Sequence, residues 1–285
     1  MIKSLIIQLT LILLFTGNLF SQNTILWSVK DTVSNRTSYL LGTYHQMGNS
    51  FVDSLPQIQN ALFSSDVAIF ESIDNGEKLR AFLNSRNEDS TYMEFLKKSD
   101  IEFLKTYTAN WSVPINKLKP MELLTKLQQE YYETQCGSIR LSDTWSHFDN
   151  YLIHLAKTNN IEIVGLENDS IQTSFINNFG GGKTWKDVRK TIHEWIKNIE
   201  KSRHTDKYCQ NVKKYMQLSF NYQFEVKCGE NPMLKGRNEE WMLNIPAYLE
   251  NNNCFIAVGL LHLFGDCGLI MQLRSRGYIV KEIEL

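Results

Sequence analysis

Phe255-Ile256-Ala257-Val258-Gly259-Leu260-Leu261-His262 decides the fold class of this chain. Four apolar residues in unbroken succession, without polar alternation, read as a strand buried on both faces. The run halts at a glycine and reaches a histidine three positions later. The same pattern occurs earlier, where Tyr39-Leu40-Leu41 leads into Gly42-Thr43-Tyr44-His45. Two more buried-type runs end in carboxylates: Val67-Ala68-Ile69-Phe70 leads into Glu71, and residues 161–164 lead into Gly165-Leu166-Glu167. In open α/β sheets, ligands sit beyond the carboxyl ends of the strands. If these four strands are parallel neighbours, two histidines and two glutamates converge on one spot.

Working outward, further β-rich runs fall at 25–29 and 278–280, and the polar stretch 30–38 joins the first two strands as a hairpin. Helical spacing appears between the strands. Pro120 opens one helix, in the position where a missing N–H costs nothing, and Leu123, Leu124, Leu127 and Tyr131 form its apolar face. A second places Trp145, Phe148, Leu152, Leu155 and Ala156 together. A third aligns Trp185, Val188, Ile192, Trp195, Ile196 and Ile199, and a short helix over 271–276 precedes the last strand. The Gly180-Gly181-Gly182 triplet is a joint within the helical part. The expected architecture is α/β: a central, mostly parallel sheet with a strand-end site and a long helical insertion, forming one domain over residues 22–285.

Residues 1–21 stand apart. Lys3, the apolar run 5–15 broken only by Gln8 and Thr10, and Leu19-Phe20-Ser21 have the layout of a secretory signal peptide. The run is too short for the roughly 20 residues of a permanent spanning helix. Export to the periplasm or the medium is therefore expected, with no permanent transmembrane anchor. Five cysteines in such a chain permit disulfides. Cys209 and Cys228 flank a short segment and are the preferred pair, the odd count leaving at least one thiol over. A formal net charge of −1 and the absence of a basic, aromatic-interleaved run argue against nucleic-acid partners.

His45, His262 and Glu71, with Glu167 as a further ligand or a general base, suit Zn²⁺, Mn²⁺ or Fe²⁺ with water in an open position. Such a metal activates bound water and polarises a carbonyl. The glycine three residues before each histidine suits a tight turn or a close backbone approach. Asp149 lies at the edge of a buried helix face, where a carboxylate needs a partner. Arg237 and Asn238 can orient an anion or a carbonyl oxygen. On the helical wheel His147 and His154 fall opposite the apolar face and read as solvated surface. His193-Glu194 is followed by Lys197 where a zincin needs histidine, and His204 sits in a polar stretch. No G-x-S-x-G or glycine-rich phosphate loop occurs.

These residues resemble the TraB/GumN family, which includes the TIKI metalloproteases. The likeness is carried by Leu26-Trp27-Ser28-Val29, by Tyr39 to His45, and by Asp66-Val67-Ala68-Ile69-Phe70-Glu71. It continues through Phe148-Asp149-Asn150-Tyr151-Leu152, Gly165-Leu166-Glu167, Arg237-Asn238, Ala257 to Gly265, and Gly277-Tyr278-Ile279-Val280. The resemblance implies a fold related to erythromycin esterase-like and haem-binding ChaN-like proteins, and a divalent-metal site in its protease members; the cofactor expected here is a divalent metal (Mn, Co or Zn). Leu260-Leu261 stands where small residues are common in the family, which implies a narrower pocket. The leading expectation is an exported metal-dependent hydrolase, a peptidase, acting on a peptide or small molecule. In it His45, His262 and Glu71 hold the metal, and Glu71, Glu167, Arg237 and Asp149 serve the chemistry. The alternatives are a binding protein that captures a peptide, a signal molecule or haem in the same cleft, and a structural envelope protein with a vestigial site.

Overall fold

The computed structural model describes residues 23–73, 76–167, 182–202 and 206–285. Its strands are β1 (Leu26–Lys30), β2 (Thr37–Thr43), β3 (Val67–Ser72), β4 (Glu162–Glu167), β5 (Cys254–Gly259) and β6 (Ile279–Glu282). They form one six-stranded sheet in the order β4-β3-β5-β2-β1-β6. β4, β3, β5 and β2 are mutually parallel neighbours; β1 is antiparallel to β2 and to β6. The four strands that end in His, Glu, Glu and His are thus the four parallel ones, side by side. The protein is α/β with a mostly parallel mixed sheet.

The unbroken apolar runs reflect position in the sheet. β5 lies in the middle, and Cys254, Phe255, Ile256, Ala257 and Val258 are wholly buried. Ile69 and Phe70 on one side and Leu40 and Leu41 on the other are equally inaccessible. Registry aligns the chemistry: Phe70 pairs with Ala257, Thr43 with Gly259 and Ser72 with Glu167, so the four carboxyl ends finish nearly level. The β1–β2 hairpin is closed by the Asp31 N–H donating to the Arg36 carbonyl at 3.0 Å, with Asn35 at positive φ.

Helices Pro120–Gln135 and Trp185–Glu200 pack along the faces read from their periodicity, Tyr131 meeting Trp195 at 5.1 Å between ring centroids. Thr184 and Asp187 close the start of the second in a reciprocal cap, the Thr184 N–H donating to Asp187 at 2.8 Å. The helix expected around Trp145 begins later, at Phe148, with His147 as its N-cap. The helix expected over 271–276 spans Leu269–Ser275, and the last strand runs on to Glu282. The expected leader, 1–21, lies outside the described residues, as do Gly180, Gly181 and His204. Among the described residues no helix is long and apolar enough to cross a membrane.

The preferred disulfide is not formed. Cys136 pairs with Cys209, and Cys228 with Cys267, while Cys254 is free and buried in β5. Cys209 sits inside the helix Asp206–Met216, which carries it to the end of the helix Pro120–Gln135, where Cys136 is the C-cap. Cys228 lies instead against the turn after the second G-x-x-H, its N–H donating to Asp266. Packing of the elements, not closeness in sequence, sets the pairing.

Candidate functional site at the strand ends

Gly42 and Gly259, the two glycines of the G-x-x-H motifs, serve close approach rather than turn geometry. A Cβ on Gly42 would lie 2.6 Å from Leu260 Cδ1, 2.9 Å from Leu263 Cδ1 and 3.2 Å from the Leu260 Cα, so a side chain there would push both leucines and crowd the turn that carries His262. A Cβ on Gly259 would meet Glu71 Oε1 at 3.0 Å, and the Gly259 N–H donates to that oxygen at 2.6 Å. Each glycine therefore lets one strand end reach its neighbour.

Arg237 ties three of the four strand ends together. It comes directly after a π-helical turn, Pro232–Gly236, that opens on the Asn231 side chain accepting from the Met233 N–H. Such turns are rare and recur at functional sites. The Arg237 Nη2 donates to both Glu71 and Glu167, Nε donates to Glu167 Oε2 at 3.1 Å, and Nη1 donates to His262 Nε2 at 3.1 Å. The guanidinium, Glu71 and His262 are all buried. Trp241 lies beneath, 4.6 Å from the guanidinium carbon and 4.4 Å from the His262 ring centroid.

The tautomer of His262 is set by its neighbours. Asn238 Nδ2 donates to the carbonyls of His262 and Cys267, which leaves Oδ1 to accept from His262 Nδ1 at 2.7 Å. Nε2 is then the lone-pair nitrogen that faces Arg237. Burial drives the His262 pKa down to about 4, Arg237 adding to the effect and Glu71 opposing it, so the ring is neutral at physiological pH. Burial raises the Glu71 pKa, but its neighbours His262, His45 and Arg237 and the Gly259 N–H outweigh it and hold the carboxyl below its ordinary value.

The fourth strand end is built differently. His45 Nδ1 meets Asp149 Oδ2 at 2.6 Å, and Thr43 donates its hydroxyl to Asp149 Oδ1 at 2.9 Å. Thr43 and His45 are two residues apart at the end of β2, so both reach the same carboxylate. Burial disfavours charge on the ring, yet Asp149 prevails and raises the His45 pKa to about 9. Burial likewise opposes the Asp149 charge, and His45 reverses it, lowering that pKa to about 2. His147, expected on the surface, stacks on His45 with centroids 5.2 Å apart and places Nδ1 3.8 Å from the same Asp149 oxygen. The wheel argument does not reach it, because the helix begins one residue later. His154 is exposed and stacks on Trp145. His193 is engaged by Asp100 and Lys97.

His45, Glu71, Arg237 and His262 line one cavity of about 550 Å³, walled by Tyr44, Tyr215, Phe220, Leu234, Leu260 and Phe264 with Lys214 among its polar groups. Glu167 and Asp149 stand behind this lining and hold the groups that face it. These residues fall within a continuous match of residues 25–282 to the family model described as TraB/PrgY/gumN. The chain belongs to the TraB/PrgY/gumN family. The comparison with curated proteins returned no match.

In this TraB/PrgY/gumN chain, which donors suit a divalent cation can be asked of the geometry. Among the described residues, two sets of three His, Cys, Asp or Glu side chains bring ligand atoms within 4.8 Å of one another. One is Cys228, Asp266 and Cys267, whose sulfurs are joined in a disulfide and offer no thiolate. The other is His45, His147 and Asp149. His45, Glu71 and His262 do not form such a set: Arg237 takes the lone pair of His262 and one oxygen of Glu71. Sequence reasoning sets His147 on the surface and gives no role to Thr43, Trp241, Tyr215 or Lys214. Thr43 and Trp241 carry a usable signal, lying two residues from His45 and four from Arg237; Tyr215, which donates to the Gly42 carbonyl at 2.7 Å, comes from a helix with no motif of its own.

Proposed function

We propose that this protein is an exported, metal-dependent hydrolase, in its most specific form a peptidase, acting on a peptide or small molecule bound in the strand-end cavity. The observation that carries the reading is the placing of His45, Glu71, Arg237 and His262 on one cavity at the ends of four adjacent parallel strands. Two disulfides are compatible with export, since such bonds persist in oxidising compartments. A divalent cation (Mn, Co or Zn), when bound, supplies an activated water and polarises a carbonyl. His45, paired with Asp149 at the end of the first G-x-x-H, is the residue whose motif and place on the cavity support it as a ligand.

The other groups act as protein. Both Glu167 oxygens and one Glu71 oxygen accept from Arg237, and the second Glu71 oxygen accepts from Gly259. The carboxylates therefore hold the guanidinium in place instead of abstracting a proton. Arg237 has five N–H donors; four are directed at Glu71, Glu167 and His262, and the fifth, on Nη1, is assigned to a substrate oxygen. A fixed donor aimed at developing negative charge is the usual protein contribution to acyl transfer. The apolar wall of Phe220, Leu234, Leu260 and Phe264 would seat a hydrophobic side chain of the substrate.

The test is cleavage of a defined peptide mixture, monitored by mass spectrometry, with mature protein reconstituted in turn with Mn²⁺, Co²⁺ and Zn²⁺. Turnover is expected in the wild type and lost in His45→Ala and Arg237→Ala; undiminished turnover in both variants would overturn the reading. The apolar wall around a histidine also favours a second reading, a binding protein for a peptide, a signal molecule or haem. Saturable binding without product would identify it.

A further inference from the structure

We infer that His45, His147 and Asp149 form a divalent-cation site beside the strand-end cavity, so that the metal lies on the His45 side and Arg237 supplies the positive charge on the His262 side. This rests on the hydrolase reading for its purpose, but its geometry stands apart from it.

Three features of the cluster support the inference. The two imidazoles lie nearly parallel, 23° apart, and both present Nδ1 to one oxygen of one carboxylate, at 2.6 and 3.8 Å. Ligand atoms about 2.0–2.1 Å from a four-coordinate ion stand about 3.3 Å from each other. The first separation must therefore open and the second close, each by well under one ångström. The other Asp149 oxygen accepts from Thr43, which fixes the carboxylate and leaves Oδ2 to the two rings. Such an orienting partner behind a metal ligand is a regular part of metal sites. Both rings are about two-fifths exposed, 41% and 42% by side chain, so water can complete the coordination shell. Two imidazoles and a carboxylate suit borderline ions such as Zn²⁺ or Co²⁺.

The opposite end of the cavity already holds a cation in covalent form. Two carboxylates and the lone pair of His262 converge on Arg237. A metal bound there would have to displace a buried guanidinium and leave it without its partners. The cluster at His45 asks for less: the proton that His45 Nδ1 shares with Asp149, and the 3.4 Å bond that His147 Nδ1 accepts from the Asn150 N–H.

The experiment is metal binding to the full mature chain, read without substrate. Zn²⁺ is added while the imidazole resonances are tracked by heteronuclear NMR, and affinity is measured by calorimetry for wild type, His147→Asn, His262→Gln and Glu71→Gln. Asparagine is a good helix N-cap, so His147→Asn keeps the start of its helix while removing the imidazole; circular dichroism checks the fold of each variant. The expected result is one bound ion, movement of the His45 and His147 resonances in the wild type, affinity weakened at least about tenfold in His147→Asn, and affinity unchanged in His262→Gln and Glu71→Gln. Movement of His262 without His147, loss of the ion from the Glu71→Gln variant, or no binding at all would overturn the inference. A protein that binds the ion at His147 yet cleaves nothing would count against the hydrolase reading alone.

Discussion

Arg237 Nη1 lies 3.1 Å from His262 Nε2, and the direction of that hydrogen bond is settled by Asn238 on the far side of the ring. His262, the strand-end histidine of the second G-x-x-H, accepts here from a guanidinium. The same guanidinium holds Glu71 and Glu167, residues 166 and 70 positions away in the chain.

Replacing Arg237 by methionine would leave two carboxylates facing each other with no cation between them. Removing one member of a buried ion pair costs about 3–5 kcal/mol. Chemical denaturation of Arg237→Met should show a loss of that order. Arg237→Lys should recover only part of it, because an ammonium cannot match the two-pronged contact with Glu167. A change below about 1 kcal/mol in Arg237→Met would mean that the guanidinium is not what holds the strand ends together.

The His45–Asp149 pair gives the metal-free protein a signed pH dependence. The His45 pKa is raised from 6.5 to about 9, so its contribution is fully present below 6.5 and is lost as pH rises through about 9. The Asp149 pKa is lowered from 3.8 to about 2, so its contribution is present above 3.8 and is lost as pH falls through about 2. The difference in Tm between wild type and Asp149→Asn should therefore be widest between these limits and narrow toward both ends. Partial exposure of the ring keeps the effect modest through solvent screening. A difference that grew from neutral to alkaline pH would contradict the pairing.

Gly42→Ala should destabilise the fold by about 1–3 kcal/mol, the usual cost of forcing a methyl into a packed interior. The inserted Cβ meets Leu260 Cδ1 at 2.6 Å and the Leu260 Cα at 3.2 Å. Adding Leu260→Ala removes the first clash but not the second, so thermal unfolding of the double variant should show incomplete rescue. Full tolerance of Gly42→Ala alone would show that the strand and the turn do not meet as described.

The disulfide Cys136–Cys209 closes a loop with a sequence separation of 73 and Cys228–Cys267 one of 39. By loop-closure entropy each is worth about 4 kcal/mol. Peptide mapping of unreduced protein should recover both pairs and a free Cys254. A Cys136→Ser/Cys209→Ser variant should lose about 2–5 kcal/mol in denaturant. Recovery of a Cys209–Cys228 peptide would refute the pairing.

The strand-end residues are legible in the sequence because a strand buried on both faces leaves an unbroken apolar run, and the polar residue at its end is marked by contrast. Gly42, His45, Glu71, Glu167, Gly259 and His262 all stand in that position. The parallel order of β4, β3, β5 and β2 is the added condition, and the register supplies it. Arg237 is visible as an anion or carbonyl anchor, but its partners are far away in sequence and no local pattern names them. His147 is misread because a helical wheel applies only within a helix, and His147 is the cap. The disulfides escape for a related reason: a 16-residue helix carries its C-cap, Cys136, to the helix holding Cys209 from 73 positions away.

Trp241, the indole lodged under Arg237 and His262, makes the strand-end cavity optically self-reporting. The His262 ring 4.4 Å away is neutral, so what the indole would sense is the guanidinium drawn off from 4.6 Å. Occupancy of the cavity by any molecule that draws on Arg237 is therefore written into the ultraviolet fluorescence of the unlabelled protein. With Trp241→Phe as the blank, fluorescence titration can rank candidate ligands before any of them has been shown to react.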